Sequence, residues 1–289
     1  MALESFPPLA LVALRFCLSG GLLLTFGRLR GWQLPRGAEL RSTAFQGILM
    51  LGLGNGCLTL AETWIPSGMA ALIITLSPFW LLGMDAMSGG ERLHAPVLGG
   101  LVVGFAGVMM LLGPDAFTSV AGPALWKGLL ILQLGNIFWN AGSLMQRRRA
   151  TQVSAFASGA IQQFASGLFF LIPALASGSF HGLHPSFRST VALGWLVVFG
   201  SIVGYSSYIY ALERMPIALL SLYNYINPVV AVGLGWWFYR EPFGWREAFG
   251  MIVIFAGVAI VRQVHGRGGK ATPSPAPLRQ ASPQDSRPR

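Results

Sequence analysis

The chain has 289 residues, of which 53% are hydrophobic and only 10% are charged, and its formal net charge is +10. A soluble domain carries roughly 25% charged residues, so this composition excludes an ordinary soluble enzyme or binding domain and indicates a membrane protein. The basic residues cluster between and after the apolar stretches, which is typical of topology control, and no nucleic-acid partner is expected. Cys17 and Cys57 lie inside apolar runs and are interpreted as buried thiols rather than a disulfide.

Nine apolar stretches are each about 20 residues long, the length that a helix needs to cross a bilayer. They cover residues 7–27, 43–63, 66–87, 94–113, 124–145, 153–177, 190–211, 216–239 and 244–263. The predicted fold class is therefore an all-α polytopic membrane protein with nine transmembrane helices. Residues 264–289 are rich in Pro, Ser, Gly and Arg, and we expect them to form a disordered basic tail.

An internal repeat relates the two halves of the chain at an offset of 150 residues. The landmarks that coincide are Pro66 with Pro216, Pro78 with Pro228, Glu91 with Glu241, Gly100 with Gly250, and residues 105–108 with residues 255–258. One register without a gap over more than forty residues indicates a duplication. We assign residues 1–113 to the first repeat and residues 124–263 to the second.

The second repeat has one helix more than the first. Its leading stretch, 124–145, has no counterpart in the chain, whereas the four later stretches match those of the first half in order. We infer a parent architecture of five plus five helices in which the first helix is missing from this sequence. Either the start codon was assigned too late or the protein has lost that helix.

Five helices is an odd number, so two copies in succession enter the membrane from opposite sides and form inverted repeats. With the C-terminus in the cytoplasm, fifteen Lys and Arg residues fall on the inside and four on the outside, while Arg15 lies within a stretch. This distribution satisfies the positive-inside rule.

Several of these landmarks resemble the EamA domains of the drug/metabolite transporter superfamily. The resemblance rests on Ser77-Pro78 and Asn227-Pro228, on Glu91 and Glu241, on the glycines of 100–107 and 250–257, and on the Ala-Leu-Arg-Phe sequence at 13–16. It implies a ten-helix secondary carrier, usually an exporter of amino acids or other small metabolites, in the inner membrane of a bacterium. The absent first helix is a departure from that pattern.

Candidate site residues are polar or aromatic groups deep in the predicted spans, because inverted repeats place a substrate site near the midplane where the halves meet. Asn136 and Asn140 share one helical face, with Trp139 beside them, although asparagines also bond to neighbouring helices for purely structural reasons. Tyr205 and Tyr208 share another face and lie too deep for an interfacial belt.

Four further candidates come from the remaining spans. Tyr223 and Asn227 share a face, although Asn227 could serve only to satisfy a carbonyl freed by Pro228. Asn55 lies between two glycines and is the repeat counterpart of Tyr205. Trp80 could form the wall of a cavity.

Arg15 is an ionisable group inside a span and counts as a functional candidate by default. It could bind a substrate carboxylate, extend toward the membrane surface, or cap carbonyls of the absent helix.

The sequence predicts a secondary transporter that exports small metabolites by alternating access and that requires no cofactor or metal. An enzyme is not expected, because the spans contain no nucleophile, base or metal constellation. The alternative is a non-transporting membrane scaffold or a truncated, inactive carrier. The expected partners are a small-molecule substrate and the lipid bilayer, and the oligomeric state is left open.

Overall fold

The computed structural model describes residues 5–90, 93–112, 123–149, 153–181, 183–239 and 244–268, and this part of the chain is all-α. We number its transmembrane helices in chain order. They are α1 (Pro8–Leu29), α2 (Gly37–Ala61), α3 (Ser67–Ile74 and Ser77–Met87), α4 (Ala95–Leu112), α5 (Pro123–Arg148), α6 (Ala155–Ala176), α7 (Phe187–Arg214), α8 (Ile217–Ser221 and Tyr223–Tyr239) and α9 (Trp245–Gly268). Glu91, Glu241 and residues 269–289 lie outside the described residues.

The nine predicted stretches coincide with these helices, and eight of the helices within the described residues are long and apolar enough to span a bilayer. The exception, α5, has 26 residues and is long enough, but it carries more polar side chains, including Gln133, Asn136 and Asn140. The helix ends differ from the predicted stretches because apolarity marks only the lipid-embedded part. Helix α2 therefore begins six residues early, at Gly37, in a polar turn.

The helices that are interrupted in the first repeat have interrupted counterparts in the second. Helix α2 contains a π-helical stretch at Ile48–Gly54, and α7 contains one at Leu196–Tyr205, which overlaps it at the 150-residue offset. Helix α3 is broken at residues 75–76, and α8 is broken at Leu222. Such breaks free backbone carbonyls inside the membrane, where other protein groups must satisfy them.

Helices α4 and α9 are repeat counterparts, and they cross in direct backbone contact. A Cβ atom added to Gly257 would lie 2.5 Å from the amide nitrogen of Gly104, and one added to Gly107 would lie 2.6 Å from that of Ile254. Glycine is therefore required at this crossing, since only small residues let two membrane helices approach this closely. Five further helices follow α4 in the chain, so α9 runs antiparallel to α4, as inverted repeats require.

Helices α1 and α6 form a second pair of counterparts with the same kind of contact. A Cβ atom on Gly20 would meet the backbone of Phe164 at 2.4 Å, and one on Gly167 would meet the backbone of Cys17 at 2.4 Å. The two repeats therefore pack against each other through two pairs of counterpart helices.

Helix α5 packs into the groove that α2 and α3 form in the first repeat. Gly135 lies against Cys57, Gly142 lies against Met50, and both glycines allow the helices to approach closely. The helix that opens the second repeat is therefore held by the first repeat, and its inward face lies between the two halves.

Candidate functional site

Four aromatic side chains from three helices meet where the repeats face each other, and we call them the aromatic cluster: Trp139 of α5, Tyr205 and Tyr208 of α7, and Tyr223 of α8. The ring centroids of Trp139 and Tyr208 are 5.4 Å apart, and those of Tyr208 and Tyr223 are also 5.4 Å apart. The indole nitrogen of Trp139 donates to the hydroxyl of Tyr208 at 3.2 Å, and that hydroxyl lies 2.8 Å from the Ser143 hydroxyl. The cluster is thus rigid and amphipathic.

The aromatic cluster lines a cavity of about 910 Å³, which we call the aromatic cavity. Its volume lies at the upper end of the range typical of small-molecule sites, about 300–1,000 Å³. Besides the cluster, the lining includes Arg15, Asn55 and Asn227. A smaller pocket of about 200 Å³ shares Asn55, Trp139, Tyr223 and Asn227 with it and is also lined by Asn136.

Arg15 is held inside the protein rather than directed away from it. Its Nε donates to the hydroxyl of Ser201 on α7 at 2.7 Å, and its guanidinium carbon lies 5.1 Å from the centroid of the Phe16 ring. The described lining of the aromatic cavity contains Arg15 and Arg262 but no Asp or Glu. The cavity is therefore electropositive and suits a ligand that carries an anionic group.

Asn136 and Asn140 mainly stabilise the break in α3. Asn136 donates to the carbonyl of Ile73 at 3.3 Å, and Asn140 donates to the carbonyl and hydroxyl of Ser77 at 3.3 and 2.8 Å. Ile73 and Ser77 flank the interruption on either side, so the two asparagines fasten both segments of α3 to α5. Asn140 lies outside both cavities.

Trp80 also lies outside both cavities. Its indole nitrogen donates to Gln133 at 2.6 Å, and 37% of the residue is exposed. Of the ten predicted site residues, the structure brings seven together around the aromatic cavity: Arg15, Asn55, Trp139, Tyr205, Tyr208, Tyr223 and Asn227.

A buried polar network behind Tyr205 was missed in the sequence. The Tyr205 hydroxyl donates to Gln162 of α6 at 2.8 Å, and Gln162 donates in turn to Gln146 at 2.8 Å. Gln146 donates to the carboxylate of Glu213 at 3.0 Å, which connects the cavity wall to the end of α7. Glutamines inside apolar spans were the available signal, since polar groups are rare in membrane helices and usually pair with one another.

The end of α5 carries three consecutive arginines, 147–149, which we call the arginine latch. The Arg147 guanidinium donates to the carbonyl of Leu212 in the last turn of α7 and to that of Met215 just after it, and the Arg149 guanidinium donates to the Ser42 hydroxyl of α2. Arg148 pairs with Asp85 at 2.9 Å near the end of α3. One helix end therefore ties together elements of both repeats.

The open side of the aromatic cavity is the repeat counterpart of the surface that α5 covers. Helix α5 contacts Met50, Gly54, Cys57, Ile65, Ile73 and Ser77. Their counterparts at the 150-residue offset all line the cavity: Gly200, Gly204, Ser207, Met215, Tyr223 and Asn227. Within the described residues the two faces are therefore equivalent in the repeat: one is covered by α5, and the other lines the aromatic cavity.

Comparison with known proteins finds the two-repeat organisation of one transporter family along the chain. The model of the EamA-like transporter family matches residues 1–113 and 126–263. An inner membrane transporter of Escherichia coli strain K12, YedA, whose function is described as uncharacterised, is 35% identical over 262 residues, which cover 90% of this chain and 83% of YedA.

Two more distant relatives and one solved structure extend the comparison. The Bacillus subtilis transporter YvbV is 26% identical and covers 90% of this chain and 84% of its own length. A probable terminal-alkyne amino-acid exporter of Streptantibioticus cattleyicolor is 26% identical and covers 84% of this chain and 80% of its own length. A crystal structure with a TM-score of 0.78 is 22% identical and covers 92% of this chain and 91% of that protein, which shows a shared fold.

Proposed function

Because the chain belongs to the EamA-like transporter family, we propose that it exports amino acids or similar small zwitterionic metabolites across the bacterial inner membrane by alternating access. The observation that carries this proposal is the aromatic cavity, which combines one deep guanidinium with an aromatic wall and has no carboxylate in its described lining. A distant relative named as an amino-acid exporter supports the substrate class.

Each part of a zwitterion has a complementary group in this cavity. A substrate carboxylate would pair with Arg15, which already has one N–H committed to Ser201 and retains four more donors. A substrate ammonium or apolar side chain would contact the faces of Tyr208 and Tyr223, since aromatic faces attract cations and bury apolar groups. A cationic substrate without a carboxylate would be repelled by Arg15.

The arginine latch supports alternating access. Its contacts join the end of α5 to α2, α3 and the end of α7, so they would have to separate before the two halves could move apart on that side. We place this side in the cytoplasm, because it carries most of the basic residues. Release of the latch would open the cavity to the cytoplasm for loading, and its closure would accompany release of substrate outside.

The substrate site is tested by transport with matched variants. Purified protein in liposomes is loaded with labelled amino acids, and flux is measured for wild type, Arg15→Gln and Arg15→Lys. We expect Arg15→Gln to lose most of the flux and Arg15→Lys to retain part of it, because the lysine keeps the charge but not the forked geometry. Trp80→Phe is the control, since Trp80 contacts neither cavity, and it should transport like wild type.

The outcome also separates transport from the scaffold alternative. If the protein is a scaffold, no labelled amino acid should show flux, even with the wild-type protein. The variants should then also leave the abundance of the protein unchanged. Flux that is equal in wild type and Arg15→Gln would contradict the assigned role of Arg15 but not the transport activity.

A further inference from the structure

A second cavity, of about 980 Å³, lies between α1, α2 and α6 and shares no lining residue with the aromatic cavity. Its deep part is apolar and is lined by Leu24, Phe164 and Leu168. Its mouth is polar and is lined by Arg28, Gln33 and Arg36. We call it the interhelical cavity. An apolar slot that ends in two guanidinium groups matches an amphipathic ligand with an anionic head.

The loop between α1 and α2 shapes this mouth. Gly31 adopts a left-handed conformation with φ of 71°, and the Trp32 amide then donates back to the carbonyl of Gly27 at 2.8 Å. The Trp32 ring lies directly over Gly27, where an added Cβ atom would be 2.4 Å from a ring atom. The chain is thereby turned so that Arg36, just before α2, faces the same cavity as Arg28 in the last turn of α1.

Neither guanidinium at the mouth is neutralised by the protein. Within the described part of the chain, the side chains of Arg28 and Arg36 are exposed and form no ion pair. The carboxylate of Glu39 follows in the first turn of α2 and has its own contact. Two unneutralised arginines at the membrane surface attract a phosphodiester, because the guanidinium fork bonds phosphate oxygens in pairs.

We propose that the interhelical cavity binds one anionic phospholipid from the surrounding leaflet, with its phosphate between Arg28 and Arg36 and its acyl chains between α1, α2 and α6. The apolar depth favours a lipid over a free phosphate, because soluble anions gain nothing from Leu24, Phe164 and Leu168. Basic pockets between transmembrane helices bind lipid headgroups of this kind.

The test uses the full chain purified in phosphatidylcholine nanodiscs, with phosphatidylglycerol added in steps and bound lipid counted by native mass spectrometry. The variant is Arg28→Gln with Arg36→Gln. The control is Arg30→Gln with Arg41→Gln, which removes the same charge from the same segment but from residues that do not line the cavity. The general attraction of the anionic surface falls equally in both proteins, whereas only the variant loses the charge-assisted hydrogen bonds to the phosphate, so it should bind phosphatidylglycerol at least about tenfold more weakly than the control.

Two further measurements distinguish a lipid from a soluble anion. Glycerol phosphate, which has the headgroup chemistry without acyl chains, should not compete with phosphatidylglycerol. Ala165→Phe keeps both arginines and narrows the apolar slot, and it should also weaken lipid binding. Equal loss in the variant and the control, competition by glycerol phosphate, or unchanged binding in Ala165→Phe would each overturn the proposal. None of these results depends on transport activity.

Discussion

Replacing Gly257 by Ala tests the packing between the repeats. The added Cβ atom would lie 2.5 Å from the amide nitrogen of Gly104 and 2.6 Å from the carbonyl oxygen of Gly100, both of which are backbone atoms. Ordinary contacts of this kind are about 3.5–4 Å, so α4 and α9 must separate by about 1 Å. Overpacking of this size costs about 1–3 kcal/mol.

Gly99→Ala is the matched control, because Gly99 lies on α4 with no atom within 4 Å of its added Cβ. Both substitutions gain the same helix propensity of about 1 kcal/mol, so their difference isolates the clash. We expect the free energy of unfolding, measured by denaturation in mixed micelles, to be about 1–3 kcal/mol lower for Gly257→Ala than for Gly99→Ala. Equal stabilities would refute the close crossing of α4 and α9.

Three other substitutions test the polar contacts. Gln162→Leu should lower the free energy of unfolding by about 1–4 kcal/mol in the same assay. The substitution removes the hydrogen-bond partner of both Tyr205 and Gln146, and each such bond in a membrane contributes about 0.6–2 kcal/mol. An unchanged free energy of unfolding would contradict the network. Asn140→Ala should lower the free energy of unfolding by about 1–3 kcal/mol, because it removes the hydrogen bonds to Ser77. The KM for transport should stay unchanged, because Asn140 lines neither cavity. A raised KM would place Asn140 in the substrate site instead. Arg148→Ala should make the aromatic cavity more accessible from the latch side. Accessibility is measured as the rate at which a thiol reagent added from that side labels a cysteine introduced into the cavity lining. An unchanged labelling rate would argue against the latch.

The sequence predicted the spans and the repeat well, because both depend on composition and register alone. The glycines of α4 and α9 stood out in the sequence as repeat landmarks, and the structure shows that they allow the close crossing of these helices. The shared face of Tyr205 and Tyr208 followed from their spacing, but the contact of Tyr208 with Tyr223, which lies on another helix, did not.

The hydrogen-bond partners of individual polar side chains could not be predicted from the sequence. Arg15 bonds Ser201, which lies 186 residues away, and no local pattern marks that pair. Asn140 shares a helical face with Asn136, yet its depth places it against the broken turn of α3 rather than in the cavity. The arginine run at 147–149 was interpreted only as a topology signal. Its three partners lie on three helices that are distant in sequence, so no local pattern indicates these contacts.

The central claim is that the aromatic cavity carries a small zwitterion, and it is tested most directly by counterflow in liposomes with paired substrates. Each pair consists of an amino acid and the amine that remains when its carboxylate is removed. The electropositive cavity predicts that excess unlabelled amino acid drives counterflow of its labelled form and that the matching amine does not. Equal counterflow with the amine, or none with any amino acid, would contradict the account.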